Sequence, residues 1–162
     1  MIPVISFYGR HNSGKTTLIA DLLPCFEQRG LRVAVLKHSR GRLRFSQDTD
    51  AERLFAAGAG IVYAVSPEAT LRYHRQPERT LADYLAELAD SGPDLIILEG
   101  YKQENVLKIE VMRKDIDDQS LEMPGTLAIV SDFPLAAGLP RFSFDQRDLI
   151  CDFIMEKLLR RT

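Results

Sequence analysis

Gly9-Arg10-His11-Asn12-Ser13-Gly14-Lys15-Thr16 follows directly on the β-branched and aromatic run of residues 2–8, IPVISFY. These eight residues satisfy G-x-x-x-x-G-K-[ST], and the motif carries meaning only between a strand and a helix. Both flanks are present. The segment from Lys15 to Arg29 repeats Leu18, Leu22, Leu23 and Phe26 at helical spacing, and Gly30 suits the position just past its end. A second apolar run, RVAVLK at 32–37, completes a strand-helix-strand unit, which implies a parallel sheet with a right-handed crossover.

The pattern continues outward. Thr49 with Glu52 reads as a capping box opening a helix over 49–57, and IVYAV at 61–65 follows as a strand. Thr80 with Asp83 opens a helix to about Ala89, closed by Ser91-Gly92-Pro93 before the strand LIIL at 95–98. Residues 106–112, VLKIEVM, alternate as a strand half exposed to solvent; 127–130, LAIV, form a buried-type run; 146–159 form an amphipathic helix; and 113–126 read as loop. The expectation is an α/β fold of the single-domain P-loop NTPase kind over residues 1–162, with a mainly parallel sheet covered by helices on both faces. No repeat, linker or domain boundary is visible.

Composition narrows the function classes. The chain has 162 residues, 45% hydrophobic and 27% charged, which excludes disorder and low-complexity classes. A net charge of −2 argues against a nucleic-acid partner. Cys25 and Cys151 lie among apolar neighbours without metal-ligand spacing, which fits reduced core thiols and a cytosolic compartment. No run approaches a bilayer span, and the start MIPVISFY lacks the basic region of a signal peptide, so neither a membrane anchor nor secretion is expected.

The chemistry follows from the loop. Gly9 and Gly14 let backbone N–H groups turn around phosphates, with Asn12 and Ser13 between them, and the helix N-terminus adds its positive dipole end. Lys15 supplies a cation for the β/γ oxygens, the Thr16 hydroxyl is placed for Mg²⁺, and Thr17 for the α-phosphate. A nucleoside triphosphate is the expected ligand. The second magnesium contact should come from the carboxyl end of a neighbouring strand, where ligands gather in open α/β sheets. Asp94 and Glu99 bracket LIIL about 16 Å apart, and Glu99 stands at the correct end, while Asp94 reads as a turn residue. Lys37 and His38 end the second strand on that same edge, and Arg40, Arg42 and Arg44 follow, either as an anion or partner contact or as a solvated loop. Asp50 is either a helix cap, a water-mediated magnesium contact or, in an enzyme, a base for an acceptor hydroxyl; Asp48 reads as a cap. Arg72, His74, Arg75 and Arg79 form a lid over phosphates or plain surface charge. No N-K-x-D signature appears, and Asp132, after the LAIV strand, is the candidate reader of guanine or an ordinary turn residue.

Taken together, the phosphate loop GRHNSGKTT, Lys37-His38, Asp50 with Ala57-Gly58-Ala59, Leu98-Glu99-Gly100-Tyr101-Lys102 and Ser131-Asp132 resemble the molybdopterin-guanine dinucleotide biosynthesis adaptor (MobB) family, in the family's order. Where that family usually reads G-K-D-[ST], this chain has Asp48-Thr49-Asp50-Ala51. The resemblance implies a cytoplasmic GTP-binding adaptor that assists the MobA-type guanylyltransferase converting molybdopterin to its guanine dinucleotide. It further implies Mg²⁺, a homodimer and slow hydrolysis of the β–γ bond, with molybdopterin itself as a further candidate ligand. Gly14, Lys15, Thr16 and Thr17 would hold phosphate and metal, Glu99 would serve the metal, and Asp50 and His38 would line the site. A small-molecule kinase using the same loop is the alternative.

Overall fold

The computed structural model describes residues 2–39, 41, 43, 48–135 and 138–159. The elements are β1 (Val4–Tyr8), α1 (Lys15–Gln28), β2 (Val33–Lys37), α2 (Asp50–Ala56), β3 (Ile61–Val65), β4 (Thr70–His74), α3 (Leu81–Asp90), β5 (Leu95–Glu99), β6 (Leu107–Met112), β7 (Thr126–Ser131), β8 (Arg141–Phe142) and α4 (Arg147–Leu158). They group into two compact units, residues 1–38 with 84–162 and residues 39–83. No described helix is long and apolar enough to cross a membrane.

The larger unit holds a six-stranded sheet in the order β2-β5-β1-β6-β7-β8, with every neighbouring pair parallel. Strands buried on both faces read as unbroken apolar runs, which is why β5, LIILE, is buried throughout. On one face Ile5, Phe7, Leu95, Ile97, Ile109, Val111, Ala128 and Val130 pack against Leu18, Leu22 and Phe26 of α1 and Ile150 and Ile154 of α4. Helix α1 ends as its sequence predicts. Gly30, at φ +76°, donates its N–H to Glu27 and Leu31 donates to Phe26, the paired bonds of a Schellman motif, and Leu31 packs on the same core as Phe26.

Strand β6 departs from its sequence reading. Its alternation of apolar and charged residues predicts one solvated face, yet every residue from Lys108 to Met112 is buried. The polar face is covered by residues of the loops on either side of the strand, 104–106 and 120–124, which satisfy its charges. Glu110 accepts from Ser120 Oγ at 2.5 Å and from the Leu121 N–H at 2.7 Å. Lys108 Nζ donates to the carbonyls of Glu104, Val106 and Pro124 at 2.7–2.9 Å. Burial lowers the Lys108 pKa, with the Glu104 charge opposing. A period of two therefore marks two chemically different faces rather than a wet one, because a buried charge survives only when its hydrogen bonds are complete. Lys108→Met keeps the stem and removes three bonds to loop carbonyls, and should cost about 2 kcal/mol, read as a lower urea midpoint at unchanged m-value. An unchanged midpoint would mean that those bonds only repay the desolvation of the ammonium.

The smaller unit corrects a second expectation. Residues 61–65 do form a strand, but β3 pairs antiparallel with β4 in a separate two-stranded sheet, from Ile61 opposite His74 to Val65 opposite Thr70. The connection is a Ser66-to-Ala69 turn closed by Ser66 N–H to the Ala69 carbonyl and by Ala69 N–H to Ser66 Oγ. The basic content of residues 70–74 masks the strand in the sequence. The capping box of α2 is present, with the Thr49 hydroxyl accepting from Glu52 N–H and the Glu52 carboxylate from Thr49 N–H. Buried Phe55 packs against the Tyr73 ring, and the Arg75 guanidinium lies 4.5 Å from the Phe55 ring centroid while donating to the Phe55 and Ala59 carbonyls. Arg72 meets His74 Nδ1, and Arg79 donates to the Asp83 carbonyl. The cations read as lid or surface charge thus bond within their own unit.

Candidate functional site

Strand β1 lies in the middle of the sheet, and the loop that follows it emerges between the carboxyl ends of β5 and β6. Gly9 turns the chain at φ +151°, so close to β6 that a Cβ there would stand 2.2 Å from the Val111 carbonyl oxygen. Asn12 and Gly14 adopt positive φ of 61° and 89°, and Ser13 is buried between them. Helix α1 begins at Lys15 with Gly14 as its left-handed cap and no side-chain hydrogen bond from the cap. Its leading N–H groups, Thr16 and Thr17 among them, are therefore presented to an incoming anion.

Lys15 folds back over the loop, donating to the Arg10 carbonyl at 2.6 Å, the Gly9 carbonyl at 3.3 Å and Ser13 Oγ at 3.4 Å. Burial lowers its pKa; the Glu99 carboxylate opposes that shift and the Lys37 ammonium adds to it. Across the loop, Thr16 Oγ1 donates to Glu99 Oε1 at 2.8 Å. Lys37 Nζ reaches both, at 2.9 Å from Thr16 Oγ1 and 2.8 Å from Glu99 Oε1. Strand register produces this meeting. Lys37 stands opposite Glu99 and Glu99 opposite Phe7, so three adjacent strands deliver their ends to one edge. Although it ends a strand, Glu99 is only 8% exposed. Asp94 sits at the other end of β5, where its carboxylate takes the Arg32 N–H in the turn its sequence context predicts.

Two hard oxygens 2.8 Å apart, a hydroxyl and a carboxylate, suit Mg²⁺, which takes few protein ligands and fills its octahedron with phosphate and water. The ammonium resting on both oxygens is direct evidence that a cation is accepted there. Among the described residues no group of three His, Cys, Asp or Glu forms an independent metal cage. The donor set thus fits a metal that arrives with phosphates.

His38 lies beside this edge, its N–H on the Glu99 carbonyl and its ring 5.2 Å from that of Tyr101. On the opposite side of the loop, Asp132 follows directly on β7. The Lys114 backbone N–H at 2.9 Å, with the Arg113 guanidinium at 3.3 Å, holds its carboxyl below the usual carboxylate range. Arg113 escaped sequence reading. Its guanidinium sits 4.0 Å from the Phe144 ring centroid and against the loop, where a Cβ on Gly14 would lie 3.3 Å from Nε. Only the adjacency of β6 to β1 reveals it, since no motif spacing marks residue 113. Asp50 belongs to the smaller unit as the first residue of α2, its carboxylate 3.6 Å from Arg53. Arg40, Arg42 and Arg44 fall outside the described residues.

Comparison with known proteins gives the family of the chain. The sequence model of the family described as "Molybdopterin guanine dinucleotide synthesis protein B" matches residues 4–132. The chain is 31% identical over 156 residues to the molybdopterin-guanine dinucleotide biosynthesis adapter protein of Haemophilus influenzae, covering 94% of this chain and 88% of that one. It is 28% identical to the adapter protein of Escherichia coli, covering 96% and 93%. The crystal structure of a MobB homologue from Bacillus stearothermophilus superimposes with a TM-score of 0.73 at 25% identity, over 95% of this chain and 96% of that one. With its phosphate loop, its Lys37-His38 strand end and its Glu99-Gly100-Tyr101 turn inside the matched span, the chain belongs to the molybdopterin guanine dinucleotide synthesis protein B family.

Proposed function

We propose that this chain is a cytoplasmic adaptor that binds Mg²⁺-GTP at its phosphate loop and assists the guanylyltransferase that builds molybdopterin guanine dinucleotide. The observation that carries the reading is the Thr16–Glu99 contact beside an uncapped helix start, because it joins a metal-type oxygen pair to an anion-type backbone. The names of the relatives supply the pathway.

In this reading Lys15 exchanges its bonds to the Gly9 and Arg10 carbonyls for β- and γ-phosphate oxygens, and the first N–H groups of α1 hold the β-phosphate. Thr16 and Glu99 hold the metal, which supplies positive charge to the β/γ oxygens. Asp132, oriented by Lys114 N–H, offers its carboxylate to guanine N1 and N2, with Arg113 bridging it to the loop. Hydrolysis is slow because electrostatic stabilisation by Lys15 acts without a glutamine positioned to orient water. A homodimer that docks on the transferase, with molybdopterin passing between them, completes the proposal.

Calorimetric titration of GTP and of ATP with Mg²⁺ tests it. GTP should bind about tenfold or more tighter, the discrimination expected of a carboxylate that pairs two guanine N–H groups. Equal affinity would remove guanine recognition from Asp132 and the GTP-specific reading with it.

A further inference from the structure

Glu99 Oε1, Thr16 Oγ1 and Lys37 Nζ form a triangle with sides of 2.8, 2.8 and 2.9 Å. We infer that Lys37 is the resident cation of the metal position, neutralising Glu99 while the site is empty and excluding a free divalent ion, so that metal enters only together with nucleotide. This rests on the reading that Thr16 and Glu99 are the metal's protein ligands.

The argument begins with the acid. A carboxylate as enclosed as Glu99 needs a counter-charge, since removing an ion from water costs several kcal/mol unless a partner and hydrogen bonds replace the solvent. Lys37 provides both in one bond. Its ammonium uses the same Oε1 and Oγ1 atoms that a metal would need, and the two cations would repel strongly at that separation. A divalent ion must therefore evict the ammonium. Eviction is sterically open, because the Lys37 side chain is 49% exposed and extends from β2, the edge strand of the sheet.

Energetics then decide the order of events. A free ion would gain two protein oxygens, lose part of its water shell and displace a bonded ammonium. An ion already chelated by phosphates brings its remaining ligands along, and the phosphates meet Lys15 and the α1 N-terminus at the same moment. Only the second exchange is favourable. Lys37 is thus a positioning residue acting through Glu99, and its removal should affect metal alone more than metal-nucleotide.

The test is Mn²⁺ binding followed by electron paramagnetic resonance on the full, nucleotide-free chain. Lys37→Met, which keeps the stem, should bind Mn²⁺ about fivefold or more tighter than the wild type, because one bonded cation no longer competes. Lys37→Arg should remain at wild-type affinity or weaker, and Glu99→Gln placed in the Lys37→Met chain should erase the gain. Circular dichroism and the thermal midpoint verify folding, with Lys37→Gln as the second carrier of the measurement. Equal or weaker Mn²⁺ binding by folded Lys37→Met or Lys37→Gln overturns the inference. A gain that survives Glu99→Gln overturns it as well, by placing the ion elsewhere. Loss of the GTP reading has a separate signature, failure of the wild type to bind Mg²⁺-nucleotide in the calorimeter.

Discussion

Gly9→Ala is expected to destabilise the chain by about 4 kcal/mol, the sum of backbone strain and a clash that the core cannot relax. A methyl group there would stand 2.2 Å from the Val111 carbonyl oxygen, and Val111 is backbone in the interior of the sheet, paired with β7 and fully buried. No rotamer change relieves such a contact. Either β6 moves, disturbing its register with β1 and β7, or the loop leaves its path. Gly30→Ala supplies the comparison, because Gly30 also has positive φ but nothing lies within 4 Å of its would-be Cβ. That variant should lose only about 1 kcal/mol, from left-handed strain alone. Urea unfolding of the two proteins separates close approach from strain, and equal losses would show that Val111 yields.

The second large effect concerns ligand rather than fold. Lys15→Ala should weaken Mg²⁺-nucleotide binding by about a hundredfold, since charge-assisted bonds to phosphate are worth roughly 1.5–3 kcal/mol each. Its stability should hardly change, as the bonds lost run to loop carbonyls that water can reach. Lys15 also holds the Gly9 and Arg10 carbonyls turned toward itself, so the variant loses pre-organisation along with charge. Titration of GTP into folded Lys15→Ala decides the matter. Affinity within twofold of the wild type would show that backbone N–H groups alone hold the phosphates.

Local chemistry explains which features the sequence discloses. The phosphate loop, the Schellman end of α1 and the Thr49–Glu52 capping box are each written within a few residues, and each is found where its spacing places it. Glu99 was legible for a similar reason: its strand has one acid at each end, and the fold makes only one of those ends useful. Features that depend on strand order were hidden. The sequence places Lys37 on the same edge as Glu99, but its bond to that carboxylate exists only because β2 and β5 pair, and Arg113 reaches Gly14 only because β6 borders β1. The buried charges of β6 misled because period-two alternation reports polarity, whereas burial depends on what covers the strand. Strand β4 was missed since Arg72 and His74 dilute its propensity, and β8, with two residues, is too short to show a period.

The central place of β1 also has a bearing on how the protein is made. The phosphate loop leaves the ribosome before β5 and β6, and Thr16 meets its carboxylate 83 residues later in the chain. The wall behind Gly9, Val111, is synthesised later still. An emerging chain that ends before β5 carries the complete glycine-lysine motif and neither of its supports. In the proposed function, nucleotide capture therefore waits for β5 and β6, and a translation product truncated before them would display the motif without competing with the finished protein for its ligand.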